Sequence, residues 1–356
     1  MSSTTDNGRP DHTRVTVHQF PATRVLSGHG ACGLVADEAA RTGARRVLLV
    51  ATPSASVAAE AVAEDLGPHL AARFDRPAPH TPVSVTTKAM ELVHRTGADC
   101  VVAIGGGSAI GLSKALAART GMPQVVVPTT YAGSEATPVL GETENGVKTT
   151  RRDLALTPGT VVYDPDLTLS MPRGLTRTSA MNALAHAVEA LWAPDATMFT
   201  DALATEAAGG ILSSLPEVLD SPSDPDARAR LQSAAWLAGT CLARTSMGLH
   251  HQLAHVLGGT FDLPHAELHT MLLAPVMEFN LPAAPAAAAR LTRAAGADPV
   301  AVVSALAREH EGSTTLRELG VDRSRLRGIA ERVADAPYPN PRPLTADEVA
   351  RLLDRI

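Results

Sequence analysis

The stretch "GLHHQLAHVLGGTFDLPHAELH", from Gly248 to His269, holds five of the chain's thirteen histidines: His250, His251, His255, His265 and His269. Imidazole supports two kinds of chemistry at neutral pH. A neutral ring nitrogen ligates transition metals, and the ring exchanges protons because its unperturbed pKa lies nearest neutrality. His251 and His255 are one helical turn apart, so they share a helix face. A second stretch with chemical content is "VVAIGGGSAIGLSKALA". There Gly105, Gly106, Gly107 and Ser108 join an apolar run to a helical pattern. Glycines let backbone approach a phosphate, and a helix N-terminus offers free N–H groups. The stretch is neither G-x-G-x-x-G nor a Walker A motif, and an ordinary strand–helix turn has the same composition. Its context favours a ligand, because the next apolar run leads into "PTTYAGSEAT", a second glycine- and hydroxyl-rich loop. Open α/β sheets bind ligands along their carboxyl edge, and two such loops side by side suggest a dinucleotide whose pyrophosphate meets the first.

The elements around these residues fall into two patterns. "TRVLSG", "RRVLLVAT", "DCVVAIG" and "QVVVP" are short apolar runs typical of buried strands. Helical patterns such as "CGLVADEAARTGA", "SVAAEAVAEDLGPHLAARF", "TTKAMELVHRTGA" and "AIGLSKALAART" alternate with them. The alternation predicts a parallel sheet with helices on both faces, a Rossmann-like α/β domain. After "VVYDPDLTLSMP" the valine-dense runs vanish, and long alanine- and leucine-rich helical segments follow from Thr176. The expected division is a disordered tail over 1–14, a dinucleotide-binding α/β domain over 15–172 and an all-α catalytic domain over 173–356. Thr345 reads as the N-cap of the last helix. After "RRVLLVAT" stands Pro53, where an acidic residue often holds the ribose of NAD, so NADPH is expected to be tolerated beside NADH.

The chain has 356 residues, 45% hydrophobic and 19% charged, with a formal net charge of −6. No basic stripe points to nucleic acid. No apolar run reaches the ~18 residues of a membrane span, and the polar N-terminus lacks a signal peptide's apolar region. Cys32, Cys100 and Cys241 are odd in number and widely spaced, which argues against a disulfide framework and for a reducing cytoplasm. All three are expected to be buried small apolar residues.

Several motifs occur in the order and spacing of a known family: "GGGS…K" (Gly105 to Lys114), "PTTYAGSEAT" (Pro128 to Thr137), "GVKTT" (Gly146 to Thr150), "YDPDL" (Tyr163 to Leu167), "NALAHAVEALWA" (Asn182 to Ala193) and the histidine stretch. Together they resemble the iron-type alcohol dehydrogenase superfamily, which includes dehydroquinate synthase-like proteins, and within it the maleylacetate reductases. The resemblance covers roughly residues 15 to 340. It implies a nicotinamide cofactor held by Gly105, Gly106, Gly107, Ser108, Thr129, Thr130, Ser134 and Lys148, and a site between the two domains. It also implies a homodimer acting on a small unsaturated oxo-acid.

Metal-using members of the superfamily hold a divalent ion with one Asp and three His. The matching positions here are Asn182, His186, His251 and His265. An amide thus stands where the carboxylate would be, and an amide oxygen is a neutral, poor ligand for a transition metal. Three imidazoles still suffice for an open zinc site, so His186, His251 and His265 would be the ligands if metal bound. The resemblance favours working without metal. On that reading His186, His251, His255, His265 and Lys148 are the catalytic candidates. Asn182, Tyr131, His250 and His269 are the substrate-binding ones, with Arg151 and Arg152 read as surface charges. Hydride would add to C2 of maleylacetate, beta to its ketone, and the resulting enolate would be protonated at C3 to give 3-oxoadipate. Other readings on the same fold are a metal-dependent alcohol or aldehyde dehydrogenase and a lyase or cyclase that uses NAD without net redox.

Overall fold

A computed structural model describes residues 20–309, 312–336 and 338–356. The tail expected over 1–14 lies outside them. Six strands form one sheet: β1 (Arg24–Ser27), β2 (Val47–Ala51), β3 (Leu70–Phe74), β4 (Cys100–Gly105), β5 (Gln124–Pro128) and, after two strands described below, β8 (Thr160–Tyr163). Their order is β1-β8-β5-β4-β2-β3, every pair parallel. Parallel strands buried on both faces need apolar side chains at every position, and "VLLVA" and "CVVAIG" supply them. Alternate β2 residues face opposite sides. Val47 and Leu49 pack with helices α1 (Val35–Arg41) and α2 (Ser56–Leu66), while Leu48 and Val50 pack with α3 (Val83–Thr96) and α4 (Gly107–Thr120).

The chain runs outward from β2 to β3, then returns to β4 on the other side of β2. This reversal opens a crevice at the carboxyl ends of β2 and β4, where ligands of such sheets bind. A two-stranded antiparallel hairpin, β6 (Val139–Glu144) and β7 (Val147–Arg152), stands apart from the sheet. Its turn is Asn145–Gly146, both at positive φ (51° and 77°), the backbone a tight hairpin requires. This hairpin is absent from the elements anticipated above.

The rest is helical: α5 (Arg173–Ala190), α6 (Met198–Asp220), α7 (Pro225–Arg244), α8 (Leu249–Phe261), α9 (His265–Asn280), α10 (Pro285–Ala295), α11 (Pro299–Arg308), α12 (Leu326–Asp335) and α13 (Ala346–Leu353). Two apolar cores organise them. One is built on α5, α6 and α7, the other on α8, α9, α12 and α13. Thr345 caps α13 as expected, in a reciprocal pair with Glu348. No helix among the described residues is long and apolar enough to cross a membrane. All three cysteines are free; Cys100 and Cys241 are buried, but Cys32 is only half-buried, which corrects the expectation for it.

Candidate active site

The glycine turn sits at the crevice. Gly105 ends β4 with φ 149°, and a Cβ there would lie 2.7 Å from the Thr52 side chain that follows β2. A Cβ on Gly106 would come within 3.0 Å of Thr130. Gly107 opens α4, and a Cβ there would meet nothing within 4 Å. No side chain caps this helix, and the Ala109 and Ile110 N–H groups bond back to the Gly106 carbonyl, which leaves the first two positions, Gly107 and Ser108, to meet a ligand. That arrangement fits a pyrophosphate. Next to it lies a cavity of about 530 Å³ lined by Ser54, Val62, Thr129, Thr130, Leu167 and Met171 among others. Its lining also includes Asp65 and Asp166, and no Lys or Arg.

The loop after β5 is clamped from beneath. Buried Lys114 donates from Nζ to the carbonyls of Ser134 (2.5 Å), Thr137 (2.8 Å) and Val139 (3.0 Å) and to the Thr137 hydroxyl (3.0 Å). Burial pulls the Lys114 ammonium down to about 7, opposed by the charge of Glu135. The same loop meets the helical half at Gly133. A Cβ there would lie 3.1 Å from the Gly239 Cα on α7 and 3.6 Å from Nδ1 of His186. Two glycines thus bring the loop after β5 against α7 and the histidine of α5.

α5 carries Asn182, His186 and Glu189, spaced four and three apart and hence on one face. α8 contributes His250, His251 and His255, and α9 contributes His265 and His269. The six rings form one contiguous group. His186 stacks on His251 with centroids 5.0 Å apart, and His269 lies 4.9 Å from both His250 and His251. His265 lies 4.6 Å from His269 and 5.5 Å from His255. The set expected from sequence is therefore brought together, with His250 and His269 as close as the rest.

Glu189 organises this group. It is fully buried. Its carboxylate accepts from the backbone N–H of Gly248 (2.9 Å), His250 (2.9 Å) and His251 (3.3 Å), and so caps the N-terminus of α8. Gly248 is required there, because a Cβ would lie 2.8 Å from the Pro339 carbonyl and 3.1 Å from Glu189 itself. Nδ1 of His251 also meets Glu189 Oε2, at 2.7 Å. That oxygen already accepts two backbone N–H groups, so the proton of this contact belongs to Nδ1, and Nε2 of His251 is left as a lone-pair acceptor. Nε2 has no hydrogen-bond partner, nor do Nδ1 of His186, Nδ1 of His269 or Oδ1 of Asn182. Four buried polar atoms around one group of rings mark where a polar ligand would satisfy them. Glu189 was not among the expected site residues. Its readable signal is its position seven residues after Asn182 on the same helix face.

Burial is the main cause of the electrostatics here. It pushes His250 down to about 4, helped by His251 and opposed by Glu189, and His265 to about 3, helped by His255 and Lys148. His186, His251 and His269 are held well below the usual range by burial and then by the other rings. His255 is lowered by burial and then by Lys148. Burial also raises the Glu189 carboxyl, opposed by His250 and by the backbone donors. With no anion present the rings are therefore neutral at neutral pH, not imidazolium. Negative charge brought among them draws protons on.

Other expected residues fall elsewhere. Tyr131 is 1% exposed within the helical core, where Arg228 donates to its hydroxyl at 3.4 Å. Its ring packs among apolar residues of α5, α6 and α7. Arg151 pairs with Asp153 at 2.7 Å and Arg152 donates to the Ala243 carbonyl, as surface charges. Lys148 is exposed on β7, close enough to lower His255 and His265 by its charge. The donor set does not match the one-Asp, three-His metal site implied by the resemblance. Asn182 is neutral, and the cluster's only carboxylate is engaged by backbone N–H groups and by His251. Among the described residues, the three side chains whose possible ligand atoms lie together, within 4.8 Å of one another, are His250, His251 and His269, not His186, His251 and His265.

Comparison with known proteins places this geometry. Residues 22–165 match the iron-containing alcohol dehydrogenase family, and residues 176–356 match the C-terminal part of the Fe-containing alcohol dehydrogenase family. The chain is 42% identical to a maleylacetate reductase of Sphingobium indicum, over 93% of this chain and 94% of that one. It is 45% identical to maleylacetate reductase 1 of Rhodococcus opacus, over 93% of each chain. A crystal structure of maleylacetate reductase from Agrobacterium tumefaciens superposes with a TM-score of 0.92 at 42% identity, covering 96% of this chain and 98% of that one.

Proposed function

Because the chain belongs to the iron-containing alcohol dehydrogenase family, we propose that it reduces the conjugated C=C bond of maleylacetate to give 3-oxoadipate, using NADH or NADPH and no metal. The observation that carries this reading is His251. It is a buried imidazole pinned through Nδ1 by Glu189, with Nε2 open among further rings and an amide where metal-using relatives have an acid.

Bound reduced nicotinamide supplies the hydride, which the substrate receives at C2. The chain's own groups manage the charge that results. Gly105, Gly106, Gly107, Ser108, Thr129 and Thr130 would hold the dinucleotide, with the loop through Ser134 fixed by Lys114. The arriving dicarboxylate brings two negative charges and raises the proton affinity of the rings. His251 takes a proton on Nε2, and Glu189 stabilises the imidazolium. The Nε2–H then donates to the enolate oxygen, the role of a preorganised oxyanion donor, and C3 of the enolate takes a proton from solvent water, which restores the ketone and gives 3-oxoadipate. His255 and His265 hold the substrate from the α8 and α9 side, with His186, His250, His269 and Asn182 completing the polar wall. The carboxylates lining the 530 Å³ cavity disfavour a 2′-phosphate, so NADH is the preferred reductant. The reading includes domains meeting at residue 172 and a homodimer in the cytoplasm, checked by limited proteolysis, light scattering and fractionation.

The test is direct. Purified protein with maleylacetate oxidises NADH, seen as loss of absorbance, and chelator leaves the rate unchanged. Activity abolished by chelator and restored by zinc or iron ends the metal-free reading. No turnover of maleylacetate ends the substrate assignment.

A further inference from the structure

The loop between β3 and α3 holds two consecutive residues in left-handed backbone, His80 (φ 61°) and Thr81 (φ 45°). Neither is glycine, and for a β-branched residue this conformation is an outlier. Strain of this kind persists only where the surroundings fix it, and here they do. Thr81 is 4% exposed, and its hydroxyl fills the space that a Cβ on Gly111 of α4 would need. The Thr143 N–H donates to the Thr81 carbonyl at 3.3 Å, and Pro82 bridges to Thr143. Thr143 is in turn the register partner of Lys148 across the hairpin. One row of backbone, from Pro82 through Thr143 to Lys148, therefore ties this loop to the strand carrying the lysine. Thr81 is pinned inward while His80 is exposed. Both His80 and Lys148 act electrostatically on His265, and Lys148 acts on His255 as well. The loop and the hairpin strand, tied together on the α/β side, thus both carry a side chain within electrostatic reach of His265.

We propose that His80 and Lys148 form one anion-binding pair that grips a carboxylate of the substrate across the cleft, and that His80 makes the enzyme selective for dicarboxylates. This rests on the reductase reading above. A dicarboxylate spans the cleft with one end toward each domain, and the pair supplies donors on the side opposite the histidine group. The dinucleotide's phosphates are met instead by the N-terminus of α4, so His80 acts on the substrate and not on the cofactor.

The variant His80→Asn tests it, because asparagine tolerates left-handed backbone and keeps the loop folded. Lys148→Met, on an exposed strand, is the second variant. Both are assayed with maleylacetate and with each of its two monoesters, at saturating NADH. Losing one hydrogen bond to a charged group lowers kcat/KM on the diacid by about 10- to 100-fold. The loss is carried by KM, the monoester lacking the gripped carboxylate loses little, and in His80→Asn KM for NADH is unchanged. Equal losses on diacid and both monoesters, a rise in KM for NADH in His80→Asn, or no loss at all overturns the proposal. If the wild-type protein does not turn over maleylacetate, the reductase reading fails separately. The pair is then tested by calorimetric titration with adipate: affinity lost in both variants sustains it, and equal affinity in all three proteins ends it.

Discussion

His251 has an open Nε2 because Glu189 occupies its other nitrogen, and Glu189 lies deep because the N-terminus of α8 supplies backbone donors to hold its charge. Losing one oxyanion donor costs ~10²–10³-fold, so His251→Asn lowers kcat by that range while the protein stays folded, checked by circular dichroism. Glu189→Gln turns an amide NH₂ toward groups that already donate. It both destabilises the fold, by about 1–3 kcal/mol for one unsatisfied group, and lowers kcat, and the acidic limb of the kcat–pH profile shifts because the imidazolium loses its counter-charge. A variant that unfolds more easily yet keeps the wild-type profile would show Glu189 to be a cap and nothing more. Asn182→Asp restores a carboxylate among three imidazoles, and elemental analysis should find zinc or iron at stoichiometric level in the variant. The sequence makes the histidines legible through their density and the asparagine through its motif. It hides Glu189, because a glutamate in an alanine-rich helix reads as surface until the partner helix is known. It does not show that the Tyr131 ring turns into the helical core.

At the scale of elements, the turn from β4 into α4 separates the needs of folding from those of binding. Gly105 and Gly106 are glycine for packing, since a Cβ would strike Thr52 or Thr130, whereas Gly107 meets nothing. Gly107→Ala therefore keeps or slightly raises the melting temperature, because alanine is the better helix former. Its methyl group nonetheless stands where a pyrophosphate approaches, and KM for NADH rises at least tenfold, about 1.4 kcal/mol. Unchanged NADH kinetics would mean that the dinucleotide crosses elsewhere. The buried strands are readable because parallel pairing demands unbroken apolar runs, and "VLLVA" and "CVVAIG" have no other use. The β6–β7 hairpin is less legible because its strand β7 is exposed throughout and shows no alternation. Only the Asn145–Gly146 turn announces it, yet this hairpin carries Lys148, whose charge reaches His255 and His265.

For the molecule as a whole, six imidazoles packed between two helical cores tie stability to pH. In the unfolded chain each titrates near 6.5. In the fold His250 is held at about 4 and His265 at about 3 by burial, and His186, His251 and His269 lie well below their usual range. Below pH 6.5 the unfolded chain takes up protons that the folded cluster refuses, so the unfolded state binds more and stability falls as pH falls. Above that value both states are neutral and these groups contribute no slope. The urea midpoint should therefore be flat above neutrality and drop steadily from pH 6.5 toward 4, by roughly 1.4 kcal/mol per pH unit for each proton refused. A saturating dicarboxylate, which favours the protonated rings, should shift the onset of that drop to lower pH. An unchanged midpoint between pH 7 and 5 would mean that the rings exchange protons freely with solvent in the folded protein, and the neutral, buried acid–base group on which the catalytic reading depends would not exist.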